Sequence, residues 1–298
     1  MTPAISLTDL SRRYGNQLAL DGITLEIDGP SITGLLGRNG AGKTTLLRII
    51  AAQEFASAGR IAVLGEDPVE NEAILPQIAL VREDQAFPLF RVRHALDAAS
   101  LFFPNWSADL AASLAADFEL PTNRWVAKLS RGMRCALSVV IGLAARAEIT
   151  LFDEPYAGLD VVARRVFYDR LLADYAEHPR TVLLSTHLID EASGLLERVV
   201  MLDRGRIVLD ASADEVRGAF TRVSGAVDAV EEFVAGRAVL ERRRIASQES
   251  AVVAGGLGDG DRPWAQQLRL AVEPLSLQQV LIHSSTQAGQ PTEEGSNP

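Results

Sequence analysis

The chain has 298 residues, 47% hydrophobic and 23% charged, a globular composition with room for one large or two modest domains. Its 29 basic and 39 acidic residues leave a net charge of −10, which disfavours general binding to nucleic acid and leaves only a local basic patch for such contact. A single cysteine, Cys135, excludes an internal disulfide and a cysteine-rich zinc site.

The chain opens as β-structure, with alternation at Ile5-Ser6-Leu7 and Ile23-Thr24-Leu25-Glu26-Ile27. A short apolar strand, Ile32 to Leu36, runs into glycines and is followed by a helix from Thr44 to Ala52. Strand, glycine loop and helix in that order begin a parallel α/β sheet. Helical character holds from about 92 to 147, in stretches Val92–Phe103, Ala108–Phe118 and Arg131–Ala145, where Cys135 reads as a core thiol. Strands return at Ile149–Phe152 and Thr181–Leu184, each followed by a helix, and an apolar hairpin spans Val199–Leu209. Ser212 to Glu215 has capping-box spacing and starts a short helix. After about residue 221 the pattern restarts, with helices at Asp228–Phe233, Pro263–Leu270 and Leu275–Ile282 and strands at Val239–Ile245 and Ser250–Val253. From Ser284 the tail is polar, aperiodic and expected to be disordered. No stretch reaches the ~18 apolar residues that span a bilayer, and Met1 to Ala4 lacks the basic and apolar regions of a signal peptide. A soluble, cytoplasmic chain is the expectation, with any membrane role supplied by a partner.

Gly37-Arg38-Asn39-Gly40-Ala41-Gly42-Lys43-Thr44 fits G-x-x-x-x-G-K-[ST] between a strand and a helix. Glycines let backbone N–H groups turn inward around phosphate oxygens, and the helix aims its positive end there. Lys43 (with Lys128, one of only two lysines) would reach the β- and γ-phosphates, and the Thr44 hydroxyl would ligate Mg²⁺. Thr45 is counted with this nucleotide-binding loop. A second acidic site ends the apolar strand Ile149 to Phe152. Ligands of open α/β sheets lie at the carboxyl ends of strands, so Asp153 is placed to hold Mg²⁺ and Glu154 to act as general base on a water. The plainer alternative is a turn, Asp153-Glu154-Pro155, capping the strand. His187 stands at the end of another apolar strand and could hold the γ-phosphate and the water, whereas His94, His178 and His283 have no such setting.

Leu129-Ser130-Arg131-Gly132-Met133 precedes the third helical stretch, with Asp153 about twenty residues on. Together with the phosphate loop, Asp153-Glu154 and His187, it resembles the ATP-binding cassette (ABC) ATPase family over about residues 5–220. The resemblance implies a P-loop NTPase α/β fold of ABC type, with an antiparallel β subdomain and a helical subdomain at about 86–147, to which the pattern that restarts after 221 adds a small C-terminal α+β appendage. The domains expected are 1–220, 221–284 and a tail at 285–298. It further implies that Tyr14 stacks on adenine, and that Ser130 and Gly132 bind the γ-phosphate held by an opposite subunit. Asp160, in Ala157-Gly158-Leu159-Asp160, matches the loop that communicates between the two sites. Catalysis falls to Glu154, His187 and Lys43.

Three departures stand out. Arg131 and Met133 replace the Gly and Gln of the usual signature. The loop that supplies a Gln near Mg²⁺ reads Ile78 to Gln85, so either Glu83, which would also serve as a metal ligand, or Gln85 fills that place. The segment Phe102-Phe103-Pro104-Asn105-Trp106 is similar to a bacterial exporter-type branch often encoded beside GntR-type regulators.

The function implied is an ATP-hydrolysing subunit that dimerises, with itself or a paralogue, around two ATP molecules. It would drive a separate transmembrane permease from the inner face of the cell membrane. A soluble cassette ATPase acting on ribosomes or nucleic acid is the alternative, disfavoured by the single phosphate loop and the absence of sustained heptads. Phe87, Leu89 and Phe90, beside the Glu83–Gln85 loop, are either subdomain core or the permease contact. Arg242-Arg243-Arg244 reads as a solvated edge, or else as a contact with phospholipid or a partner.

Overall fold

The computed structural model describes residues 2–82, 89–258 and 260–280. The chain divides into two compact units, Met1–Leu188 with Leu195–Asp210, and Ile189–Gly194 with Ala211 onward. That division falls ten residues before the boundary expected at 220.

In the first unit β1 (Ile5–Tyr14) pairs antiparallel with β2 (Gln17–Ile27) on one side and β4 (Ala58–Val63) on the other. Both β1 and β2 outrun their alternating segments. Register shifts after Leu7, Leu10 and Arg12, with Asp9 in the left-handed region at φ 48°, break the two-residue period that sequence reading depends on. β4 is missed for a related reason, since Ala58, Gly59 and Arg60 are all exposed and show no alternation.

A six-stranded sheet lies beside it in the order β5–β6–β7–β3–β8–β9. Its members are β3 (Ser31–Leu36), β5 (Ile78–Arg82), β6 (Ile149–Asp153), β7 (Thr181–Ser185), β8 (Arg198–Asp203) and β9 (Arg206–Ser212). The pairs β5–β6, β6–β7, β7–β3 and β3–β8 are parallel. The expected hairpin is β8–β9, turning through Arg204–Gly205. Register puts Asp153 opposite Ser185, and Ser185 opposite Leu35, so the carboxyl ends of three adjacent strands meet at one edge. Against the sheet α1 (Lys43–Ile50) buries Leu46, Leu47, Ile49 and Ile50, which join Leu35, Leu151, Leu183 and Leu202 in one core. Each such side chain contributes about 2 kcal/mol by leaving water.

The helices α2 (Val92–Phe102), α3 (Ala108–Asp117) and α4 (Arg131–Ala144) end within one residue of their expected limits. From Cys135 to Ala144 every residue of α4 is buried, while α5 (Val161–Glu177) is a more mixed surface helix.

The second unit holds α6 (Ile189–Ala192) and α7 (Ala213–Gly218), whose capping box between Ser212 and Glu215 is present in full. Next come β10 (Phe220–Ala226), α8 (Val227–Val234), β11 (Val239–Ile245), β12 (Gln248–Ala254), α9 (Asp261–Gln267) and β13 (Ala271–Pro274). The order βαββαβ, with antiparallel strands arranged β11–β12–β10–β13, is the split-βαβ arrangement. Its core is Val223, Val230, Phe233, Ala251, Val253 and Ala265. β10, a central strand, straddles the expected domain boundary and so escapes a reading that restarts at 221. Arg242, Arg243 and Arg244 lie exposed on the edge strand β11, where Arg242 pairs with Glu249; charge on an edge discourages pairing with another chain. Residues 277–280 are helical, matching the start of the helix expected at Leu275–Ile282. The remainder of that helix and the tail at 285–298 lie outside the described residues.

Candidate nucleotide site

The loop from Gly37 to Gly42 joins β3 to α1. Two of its glycines are obligatory. Gly37 has φ 147° and a Cβ there would lie 2.2 Å from the Leu202 carbonyl oxygen; Gly42 has φ 110° and would meet the Ala19 carbonyl at 2.6 Å. Ala41 closes the turn by donating its N–H to Arg38 O, and its own carbonyl accepts from Gly205 N–H at 3.0 Å. Arg38, Asn39 and Gly40 are exposed at the tip. Lys43 is only 6% exposed and folds back, its Nζ donating to Gly37 O at 2.8 Å and Arg38 O at 3.3 Å. Burial pushes the Lys43 ammonium below its ordinary pKa, opposed by the carboxylates of Glu154 and Asp153.

Those carboxylates end β6. Asp153 Oδ1 accepts from Ser185 Oγ at 3.2 Å, and its carboxyl is also hydrogen-bonded to the Thr44 side chain. Burial raises the Asp153 pKa, while both hydroxyl bonds pull it down. Glu154 sits at φ 48°, a left-handed conformation that costs a non-glycine residue about 1 kcal/mol. This turn leaves Glu154 Oε1 3.8 Å from Lys43 Nζ and Oε2 3.2 Å from His187 Nδ1. Glu154 is 27% and His187 51% exposed, so both meet solvent. A carboxylate held between an ammonium and an imidazole, beside water, has the geometry of a proton acceptor.

Tyr14, Asn39, Gly40, Gly42, Lys43, Thr44, Thr45 and Glu154 line one cavity of about 560 Å³. Tyr14 is exposed at its rim, its hydroxyl bonded to Glu54 and its ring 4.6 Å from the Arg12 guanidinium. Ser130, Gly132 and Asp160 line a different cavity of about 510 Å³, with Met133, Gly158, Leu159 and Val162. Ser130 caps α4, its hydroxyl accepting from Met133 N–H at 3.2 Å, and Asp160 caps α5, accepting from Ala163 N–H at 2.8 Å. Of the residues singled out from the sequence, these two groups therefore line two separate cavities in one unit. Glu83, Gln85 and Phe87 lie outside the described residues.

Tyr156, two residues past Glu154, carries no motif letter and is missed by sequence reasoning. Its side chain is 1% exposed, and its hydroxyl bonds Thr186 Oγ1 at 2.6 Å while accepting the His187 backbone N–H at 2.9 Å. A tyrosine between a carboxylate pair and a turn was the available signal.

Among the described residues no group of three His, Cys, Asp or Glu side chains could cage a metal. Thr44 and Asp153, already hydrogen-bonded to one another, are instead the partial oxygen set that Mg²⁺ takes when phosphates and waters complete its shell. The residues fit the ion. Nor is any helix among them long and apolar enough to cross a membrane.

The family model described as "ABC transporter" matches residues 20–157. The aliphatic sulfonates import ATP-binding protein SsuB 1 of Nocardia farcinica is 33% identical over 210 residues, 70% of this chain and 82% of that one. The Nod factor export ATP-binding protein I of Ralstonia nicotianae is 32% identical over 222 residues, 72% of this chain and 69% of that one. Among solved structures, an ATP-binding subunit of an ABC transporter superposes with a TM-score of 0.65 at 25% identity, covering 72% of this chain and 92% of that one.

Proposed function

This chain belongs to the ABC transporter family of ATP-binding, ATP-hydrolysing proteins, and on that premise we propose that two copies, or one copy and a paralogue, close around two ATP molecules to drive a separate membrane permease. The observation that carries this reading is the Glu154 carboxylate held between Lys43 Nζ and His187 Nδ1 at the mouth of the phosphate loop. Lys43 neutralises the β- and γ-phosphates from a position its own loop carbonyls have set. Thr44 and Asp153 would hold Mg²⁺, which when bound draws charge from the phosphate oxygens. Glu154 takes the proton of the attacking water, and His187 orients the γ-phosphate, yielding ADP and phosphate. Tyr14 stacks on the adenine. Ser130, Gly132 and Asp160, in their separate cavity, complete the site of the opposite subunit, which is why a lone subunit holds two half-sites.

Export is the proposed direction, supported by the segment Phe102 to Trp106 and by the Nod factor export relative; the import relative is as near, and transport into or out of vesicles decides. The chain is then peripheral on the cytoplasmic face of the membrane. A tagged chain should sediment with membranes and retain a multi-span protein through detergent purification. Recovery with ribosomes or nucleic acid instead would favour a soluble cassette ATPase.

The permease contact is proposed at Phe87 or Phe90, or at both. Leu89 is 82% and Phe90 38% exposed, beside the first turn of α2, which suits a docking anchor. Serine at the contacting residue is expected to cut permease capture about tenfold while isolated ATPase activity stays within about twofold. Normal capture by both Ser variants, or unfolding of both, would return the cluster to the core.

A further inference from the structure

The buried phenol of Tyr156 takes no part in the reaction proposed above, yet it holds two consecutive residues at the carboxyl end of β7. It donates to Thr186 Oγ1 at 2.6 Å and accepts the His187 N–H at 2.9 Å, while Thr186 Oγ1 accepts Leu188 N–H at 2.9 Å. Its ring stands edge-on to the imidazole, centroids 5.6 Å apart at 64°. Burial pushes the phenol pKa up to about 12, so it stays a donor at any working pH.

The other side of Tyr156 is tied just as closely. Its carbonyl accepts Leu159 N–H at 2.9 Å, and Glu154 O accepts Ala157 N–H at 3.1 Å, which makes 154–159 a compact turn. Cys135, on α4, donates its thiol to Pro155 O at 2.6 Å. Gly132, at the start of the same helix, lies so near Gly158 that a Cβ there would stand 2.8 Å from the Gly158 carbonyl. The turn that carries Tyr156 is thus also a wall of the second cavity, with Ser130 and Asp160.

We propose that Tyr156 is a positioning residue, fixing His187 against Glu154 and tying that placement to the turn that walls the second half-site. The inference rests on the role given to His187 in the preceding section. Without the hydroxyl, the His187 backbone and the Thr186 side chain lose their shared anchor, and Nδ1 leaves the 3.2 Å contact with Glu154. A group misplaced by about 1 Å costs on the order of a hundredfold in rate.

The test is steady-state ATPase kinetics, with melting temperature as a folding control, on wild type, Tyr156→Phe, His187→Ala and the double variant. Tyr156→Phe should lower kcat about ten- to a hundredfold with KM within about twofold. In the His187→Ala background it should add little, because both act through one group. Unchanged kcat in Tyr156→Phe overturns the inference, and so does a full additional loss in the double variant. A His187→Ala enzyme at the wild-type rate would instead bring down the role given to His187, and this inference with it. If Tyr156→Phe does not fold, Thr186→Val removes the other end of the bond and is read by the same comparison.

Discussion

Glu154→Gln is expected to bind ATP within about twofold of wild type and to lose turnover by about a hundredfold or more. The amide keeps the length and shape of the side chain, so the left-handed turn at Glu154 and the cavity walls are preserved. What it lacks is a lone pair basic enough to take a proton from water. The change also removes the negative charge 3.8 Å from Lys43, a charge that competes with the phosphates for the ammonium. Nucleotide affinity should therefore not fall. With hydrolysis stopped, ATP and Mg²⁺ should hold the dimer together, and a shift to twice the monomer mass on size exclusion is the second readout. Steady-state hydrolysis at the wild-type rate would remove Glu154 from the mechanism.

Lys43→Ala should fail earlier, at binding. Charge-assisted hydrogen bonds are worth about 1.5–3 kcal/mol, and 1.4 kcal/mol is a factor of ten. The dissociation constant for ATP with Mg²⁺ is thus expected to rise about ten- to a hundredfold. The ground state suffers as well as the transition state, because phosphates are contacted in both. Removing the ammonium also leaves the Gly37 and Arg38 carbonyls without their donor and Glu154 without its cation. The loop should loosen as well as lose charge. Titration of a fluorescent nucleotide measures this directly, and an unaltered dissociation constant would show that Lys43 does not cradle phosphate.

The site was legible wherever chemistry is written in consecutive residues. Gly37 to Thr44 and Asp153-Glu154 each occupy one loop or strand end, and the parallel sheet brings those ends together by register alone. His187 needed the further inference that its strand lies beside β6, which an apolar run supports. Tyr156 was illegible because its role lies in a bond to Thr186, thirty residues away, and a tyrosine between two motifs looks like filler. Among the elements, periodicity served the helices well, since α2, α3 and α4 run uninterrupted over ten or more residues. It served β1 and β2 poorly, because bulges reset the two-residue period, and it missed β10, whose small residues Ser224, Gly225 and Ala226 carry little hydrophobic signal.

The phosphate loop has a consequence for the order in which the protein becomes competent during its own synthesis. Gly37 is packed against the Leu202 carbonyl, and Ala41 accepts a hydrogen bond from Gly205. The motif itself leaves the ribosome early, but its backing wall is made some 160 residues later. Until β8 and the Arg204–Gly205 turn have emerged and paired beside β3, Gly37 to Gly42 has only its local bonds, Ala41 N–H to Arg38 O and Lys43 Nζ to Gly37 O and Arg38 O, and lacks the wall that Leu202 and Gly205 supply. A nascent chain shorter than about 205 residues therefore carries the complete phosphate-binding sequence without the wall that backs it.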